Sequence, residues 1–135
     1  MVKLLVGVKG TGKTKKLIEM VGAALETSKG NVVFVEKGSK LVYDISYKAR
    51  LVDTDQYEIT DAQALYGFIA GIVASDHDLT DLFIDNTMKI CGADKAAFLK
   101  LVDEVTALSD KIGFNCVISA SMPIEELPAN YTSII

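Results

Sequence analysis

Eight consecutive residues, Gly7-Val8-Lys9-Gly10-Thr11-Gly12-Lys13-Thr14, follow the spacing GxxxxGK with Thr at the last position. Their types suit one task, the holding of phosphate. Glycine at positions 7, 10 and 12 lets the chain wrap with its N–H groups turned inward, where side chains would block either the turn or the approach of an anion. Lys13 offers a point charge for the β- and γ-phosphates of a nucleotide, and Thr14 a hydroxyl for Mg²⁺. Such a site also needs an acid aimed at the water shell of the ion. Asp85 supplies it at the end of the apolar run Leu82-Phe83-Ile84-Asp85. Gly7, Lys9, Gly10, Thr11, Gly12, Lys13 and Thr14 are thus the candidate phosphate ligands. Thr14 and Asp85 are the candidate Mg²⁺ ligands, Asp85 through water.

These residues work together only if the right elements carry them. Val2 to Val6 is a nearly continuous apolar run ending at Gly7, the pattern of a buried parallel strand that enters a turn. Between Lys13 and Ser28 the residues Leu17, Ile18, Val21, Ala24 and Leu25 recur at helical spacing, with Gly30 as the expected C-terminal cap. Asn31 to Glu36 is a second buried strand, broken by Lys37-Gly38-Ser39. Residues 40–59 read mostly as loop, with a short strand at Ala49 to Val52. Thr60-Asp61 caps a helix to Ala74 whose face is Leu65, Phe68, Ile69, Ile72 and Val73, and the pair Gly67 and Gly71 suggests close packing on a sheet. Leu82 to Asp85 is a strand, followed by a loop to Asp94, a helix to Ile112 closed by Gly113, a strand from Asn115 to Ala120, and a last short strand at Tyr131 to Ile135. Strands alternating with helices predict a three-layer α/β/α fold with a mostly parallel five-stranded sheet and right-handed crossovers. No repeat or linker interrupts residues 1–135, which read as a single nucleotide-binding domain.

With the phosphate loop between strand and helix and the acid on a later strand, the chain resembles the P-loop NTPases with their Walker A (residues 7–14) and Walker B (Asp85) motifs. The resemblance is strongest to the RecA-like division. It implies ATP and Mg²⁺ as cofactors, a further strand inserted between the two that carry the motifs, and a polar sensor at the tip of that inserted strand, either Ser119 or Ser121. Many members of the division have a glutamate directly after the Walker B acid, but Asn86 stands there, and an amide cannot take a proton. In RecA-type relatives the water-activating carboxylate ends the strand after the first helix, which makes Glu36 the candidate base beside Lys13 and Asp85 as catalytic residues. An arginine finger from a neighbouring copy would have to be Arg50, the only arginine, or be replaced by a lysine. The first helix, Lys13-Thr14-Lys15-Lys16-Leu17-Ile18, is also similar to that of zinc-containing thymidine kinases, but their four zinc cysteines are missing.

Composition narrows the rest. Half of the 135 residues are hydrophobic and 24% charged, a globular balance. Cys91 and Cys116 form no CxxC pair, and with a single His, His77, in a Ser75-Asp76-His77-Asp78 loop, a disulfide scaffold or zinc site is not supported. Met20, Met88 and Met122 read as packing residues. The longest uncharged apolar run, Ala64 to Ala74, is 11 residues, too short to cross a bilayer, and Lys9 interrupts the N-terminal apolar stretch, so no signal peptide is expected and a cytoplasmic location is. The net charge of −4 is uneven, about +6 over residues 1–50 and −10 over residues 51–135, which suits a small anionic ligand better than a nucleic acid. No NKxD tetrapeptide signals guanine, leaving ATP as the default nucleotide. Three functions follow from the motifs: an ATP-binding protein with slow or partner-stimulated hydrolysis, its partner or oligomer unidentified; a small-molecule or nucleoside kinase whose segment 39–59 binds the acceptor; and a non-hydrolysing nucleotide-dependent switch or scaffold.

Overall fold

Alternation along the strands decides which residue goes to which face of the sheet, and the helices settle against the faces so created. In the computed structural model, which describes residues 1–134, strands β1 (Val2–Gly7), β2 (Asn31–Glu36), β3 (Arg50–Asp53), β4 (Leu79–Ile84) and β5 (Asn115–Ser121) form one sheet in the order β1-β5-β4-β2-β3. Every strand pair is parallel. Leu5, Val32, Phe34, Phe83 and Val117 point to one face, where Leu17, Val21 and Ala24 of helix α1 (Lys13–Thr27) cover them together with Ile45 and Ala49. Leu4, Val6, Val33, Val35, Leu82, Ile84, Cys116 and Ile118 point to the other, under helices α2 (Ala62–Ser75) and α4 (Lys95–Ile112). The three layers and the parallel sheet expected from the sequence are present. Among the described residues no helix is long and apolar enough to cross a membrane.

Local signals explain where the elements begin. Asp61 accepts a hydrogen bond from the Ala64 N–H at 2.7 Å and Asp94 one from the Ala97 N–H at 3.0 Å, so α2 and α4 each start on a capping carboxylate. Gly113, at φ 97°, ends α4 in the left-handed conformation.

Several local expectations are corrected. Strand β4 starts at Leu79, earlier than expected, and stops at Ile84, leaving Asp85 just beyond its end. The expected loop to Asp94 contains a helical turn, α3 (Thr87–Ile90). The short strand placed at Ala49 to Val52 runs from Arg50 to Asp53, followed by a 3₁₀ turn over Thr54–Tyr57. Gly30 does not cap α1, which closes on Ser28; a Cβ at Gly30 would lie 2.0 Å from the Asp78 carbonyl oxygen, so glycine is there for a close backbone approach between the starts of β2 and β4. Gly67 and Gly71 do not pack on the sheet, since a Cβ at either would meet open space. The last strand is reduced to one parallel bridge between Ser133 and Leu4, with the Ile134 N–H donating to the Leu4 carbonyl; Ile135 lies outside the described residues.

Candidate functional site

The C-terminal ends of β1, β2, β4 and β5 open into a cleft of about 390 Å³ lined by Lys9, Gly10, Gly12, Lys13, Thr14 and Lys15 from the first turn and helix, Glu36, Lys40 and Leu41 from the end of β2, Asp85, Asn86 and Lys89 beyond β4, and Ser121 at the tip of β5. Crevices at strand C-termini are the usual ligand position in open parallel sheets. The structure thereby brings together Lys13, Thr14, Glu36 and Asp85, residues spread over most of the chain.

The turn between β1 and α1 keeps its shape by internal bonds. The Val8 carbonyl accepts from the Thr11 N–H (3.3 Å), the Thr11 hydroxyl (2.8 Å) and the Lys13 ammonium (2.9 Å). Gly10 and Gly12 stand at φ 89° and 82°, conformations that L side chains rarely adopt. Gly7 answers a different need: a Cβ there would lie 2.7 Å from the Thr11 hydroxyl oxygen. Among the described residues no acceptor faces the N–H groups of Gly10, Gly12, Lys13 and Thr14, and the start of α1 has neither a side-chain cap nor an acid in its first turn. Four residues that line the cleft at the N-terminus of α1 therefore carry N–H groups without an acceptor among the described residues, the electrostatic complement of an anion.

Lys13 is 8% exposed. Burial pushes its ammonium below the ordinary lysine pKa, and the negative charge of Asp85 works against that shift. Asp85 is buried too: its Oδ1 accepts from the Ser119 hydroxyl at 2.5 Å, while its backbone N–H remains laddered to the Val35 carbonyl at 2.9 Å. Asn86 follows in the left-handed region (φ 55°), which asparagine tolerates, and its N–H donates to the same Ser119 oxygen at 3.3 Å. The alternatives left open between Ser119 and Ser121 thus separate. Ser119 is buried against Asp85 and orients it, whereas exposed Ser121 faces the cleft.

Glu36 does not face solvent at the end of its strand. It is 3% exposed, accepts from the Leu41 N–H at 3.3 Å through Oε2, and has its pKa raised chiefly by burial, with the charges of Asp85 and Asp53 adding to the shift and the Leu41 bond opposing it. Arg50 is not brought to the cleft. It opens β3 opposite Val33 and lines a separate groove with Tyr57, Phe68 and Ile72. His77 is exposed in the loop before β4. Burial holds the thiols of Cys91 and Cys116 at about 11 and about 12, inert packing groups rather than nucleophiles. Lys15, Lys40, Leu41 and Lys89 also line the cleft and were not singled out from the sequence; Lys40 and Leu41 lie in the stretch without readable period, and Lys89 follows Asp85 by four residues, one helical turn, in what read as loop.

A donor set of hard oxygens fits Mg²⁺. Among the described residues no cluster of three or more His, Cys, Asp or Glu could cage a metal, so an ion here would rely on phosphate oxygens and water, with Thr14 and Asp85 as its protein side. Among the described residues none donates a hydrogen bond to the second Asp85 oxygen, Oδ2.

No protein-family model matches the chain, and no curated protein does. Among solved structures, its fold is similar to that of a KaiC-like protein from the hyperthermophilic archaeon Pyrococcus horikoshii, with a TM-score of 0.65 and 18% sequence identity over 90% of this chain and 61% of that one. The chain spans about three fifths of the length of that protein. Together with the strand order, in which β5 lies between the strands leading to Lys13 and Asp85 as the RecA-like resemblance implies, the likeness establishes the fold as a parallel α/β/α sheet similar to that of a KaiC-like protein.

Proposed function

We propose that the chain binds a Mg²⁺-nucleoside triphosphate, ATP as the default, and hydrolyses it slowly or on stimulation by a partner. The observation that carries this reading is that Gly10, Gly12, Lys13 and Thr14 line the cleft at the start of α1 with N–H groups that have no acceptor among the described residues. The Lys13 ammonium, which the Val8 carbonyl now holds at 2.9 Å, has a stronger partner in a phosphate oxygen. Bound there, Mg²⁺ supplies charge neutralisation for the phosphates. Ser119 fixes the Asp85 carboxylate toward that region, and Glu36, the one other carboxylate among the described residues that line the cleft, accepts a proton from an attacking water. Its raised pKa brings the base closer to neutrality, where a general base works best.

Calorimetry tests the binding. Mg·ATP should titrate the wild-type protein, and Lys13→Ala should lower its affinity by roughly a hundredfold or more, as expected for the loss of a buried charge-assisted contact. Unchanged affinity in that variant overturns the reading. One observation favours phosphotransfer as a second reading: Lys40 and Leu41, from the segment proposed to bind an acceptor, form part of the cleft wall. ADP release that depends on an added nucleoside or metabolite would distinguish it from hydrolysis.

A further inference from the structure

The cleft is more basic than its two motifs require. Lys9, Lys13, Lys15, Lys40 and Lys89 line it against only two carboxylates, Glu36 and Asp85. Among the described residues only the Lys13 ammonium of the five makes a hydrogen bond and none of the five is in an ion pair; the ion pairs Lys37 with Asp55 and Lys95 with Glu126 lie elsewhere. Arg50 is in a different groove, so the chain brings no arginine of its own to the cleft.

We propose that Lys89 is the cation that the chain supplies, from within itself, to the γ-phosphate. This rests on the nucleotide-binding reading above and names a residue that reading does not need. The four lysines other than Lys13 differ in how firmly they are held. Lys89 belongs to α3, which starts directly after Asp85 on left-handed Asn86, whose N–H is bonded to Ser119. Thr87, Met88 and Ile90 of that turn are buried, and Lys89 is its only exposed residue. The same hydroxyl therefore sets both the Asp85 carboxylate and the start of the turn that carries Lys89. The backbone position of Lys89 is thus set before a ligand arrives, and only its side chain has to order on the phosphate. Lys9 lies within the phosphate turn and is already a candidate of that motif, Lys15 sits in the first turn of α1 directly after it, and Lys40 sits in a turn region after Glu36 rather than on a packed element.

A contact to the γ-phosphate discriminates triphosphate from diphosphate. With Mg²⁺ present, calorimetric titration of a non-hydrolysable ATP analogue and of ADP into wild type, Lys89→Ala, Lys89→Arg and Lys40→Ala separates the alternatives. Lys89→Ala should lower analogue affinity by roughly ten- to a hundredfold while ADP affinity changes by less than about twofold, and Lys89→Arg should preserve most of the preference. Thermal melts of the variants check that the exposed substitution leaves the fold intact, with a midpoint within about 2 °C of wild type expected. Equal losses for both nucleotides in Lys89→Ala would mean general attraction only and overturn the proposal, as would an unchanged preference there or its collapse in Lys40→Ala instead. If wild type binds neither nucleotide, the underlying reading falls first, a result distinct from binding without discrimination.

Discussion

A glutamate buried at the end of a strand, with two aspartates close enough to raise its pKa, is held at a cost to stability. Because the folded chain keeps the Glu36 proton more tightly than the unfolded chain does, the contribution of Glu36 to stability is greatest below the ordinary glutamate range near 4.5 and is lost as pH rises through its raised folded value. Glu36→Gln removes the charge and keeps an acceptor for the Leu41 N–H. It should melt higher than wild type at pH 7.5, with the two midpoints converging as the pH is lowered towards 4.5. If Glu36 is also the base, the same variant should lose roughly 10²- to 10⁴-fold in hydrolysis while its calorimetric affinity for Mg·ATP stays close to that of wild type. Wild-type turnover in Glu36→Gln would put proton transfer elsewhere. Stability and turnover thus report separately on one side chain, and a purely structural role for Glu36 would move only the first.

Periodicity made most of the helices and strands legible because burial imposes it. Leu65, Ile69 and Val73 recur at helical spacing since they face the sheet, and the run from Val32 to Val35 is apolar at successive positions since both faces of β2 are covered. The phosphate turn was readable for a different reason: three glycines with distinct backbone demands leave a local signature that no tertiary contact has to complete. The walls contributed by Lys40, Leu41 and Lys89 had no such signature. Those residues reach the cleft because β2 and β4 lie side by side, a fact of topology rather than spacing. Gly67 and Gly71 show the converse failure, where a small-residue pair resembling a contact turns out to face open space. Alanine at each should therefore stabilise α2, by about 0.5–1 kcal/mol per site, through reduced freedom of the unfolded chain and better helix propensity. A thermal melt of Gly67→Ala/Gly71→Ala should show a midpoint several degrees above wild type. A lower midpoint would mean that this face of α2 is packed after all.

The two apolar cores share their strands. β1, β2, β4 and β5 each send residues to both faces, so the α1 side cannot come away without exposing strand residues that also anchor α2 and α4. Melting should then be one cooperative event, monitored alike by far-UV circular dichroism and by tyrosine fluorescence, to which the half-exposed Tyr57, its ring tilted against that of Phe68 at a centroid distance of 5.5 Å, contributes a signal from the α2 face. The cleft draws on the ends of four strands of this shared sheet and on the first turn of α1, which makes a ligand bound there a brace for the whole unit rather than for one loop. At a free concentration of one hundred times its Kd, a Mg·ATP analogue that binds only the folded chain should add about 2.7 kcal/mol. For a chain of this size that raises the midpoint by roughly 6–13 °C. Both probes should move together, and Lys13→Ala, whose Kd then equals or exceeds that concentration, should rise by no more than about 2 °C. Were the dichroism midpoint to rise while the fluorescence midpoint stayed in place, the ligand would be ordering the α1 side alone, and the two cores would have to be treated as separately melting units joined by the sheet.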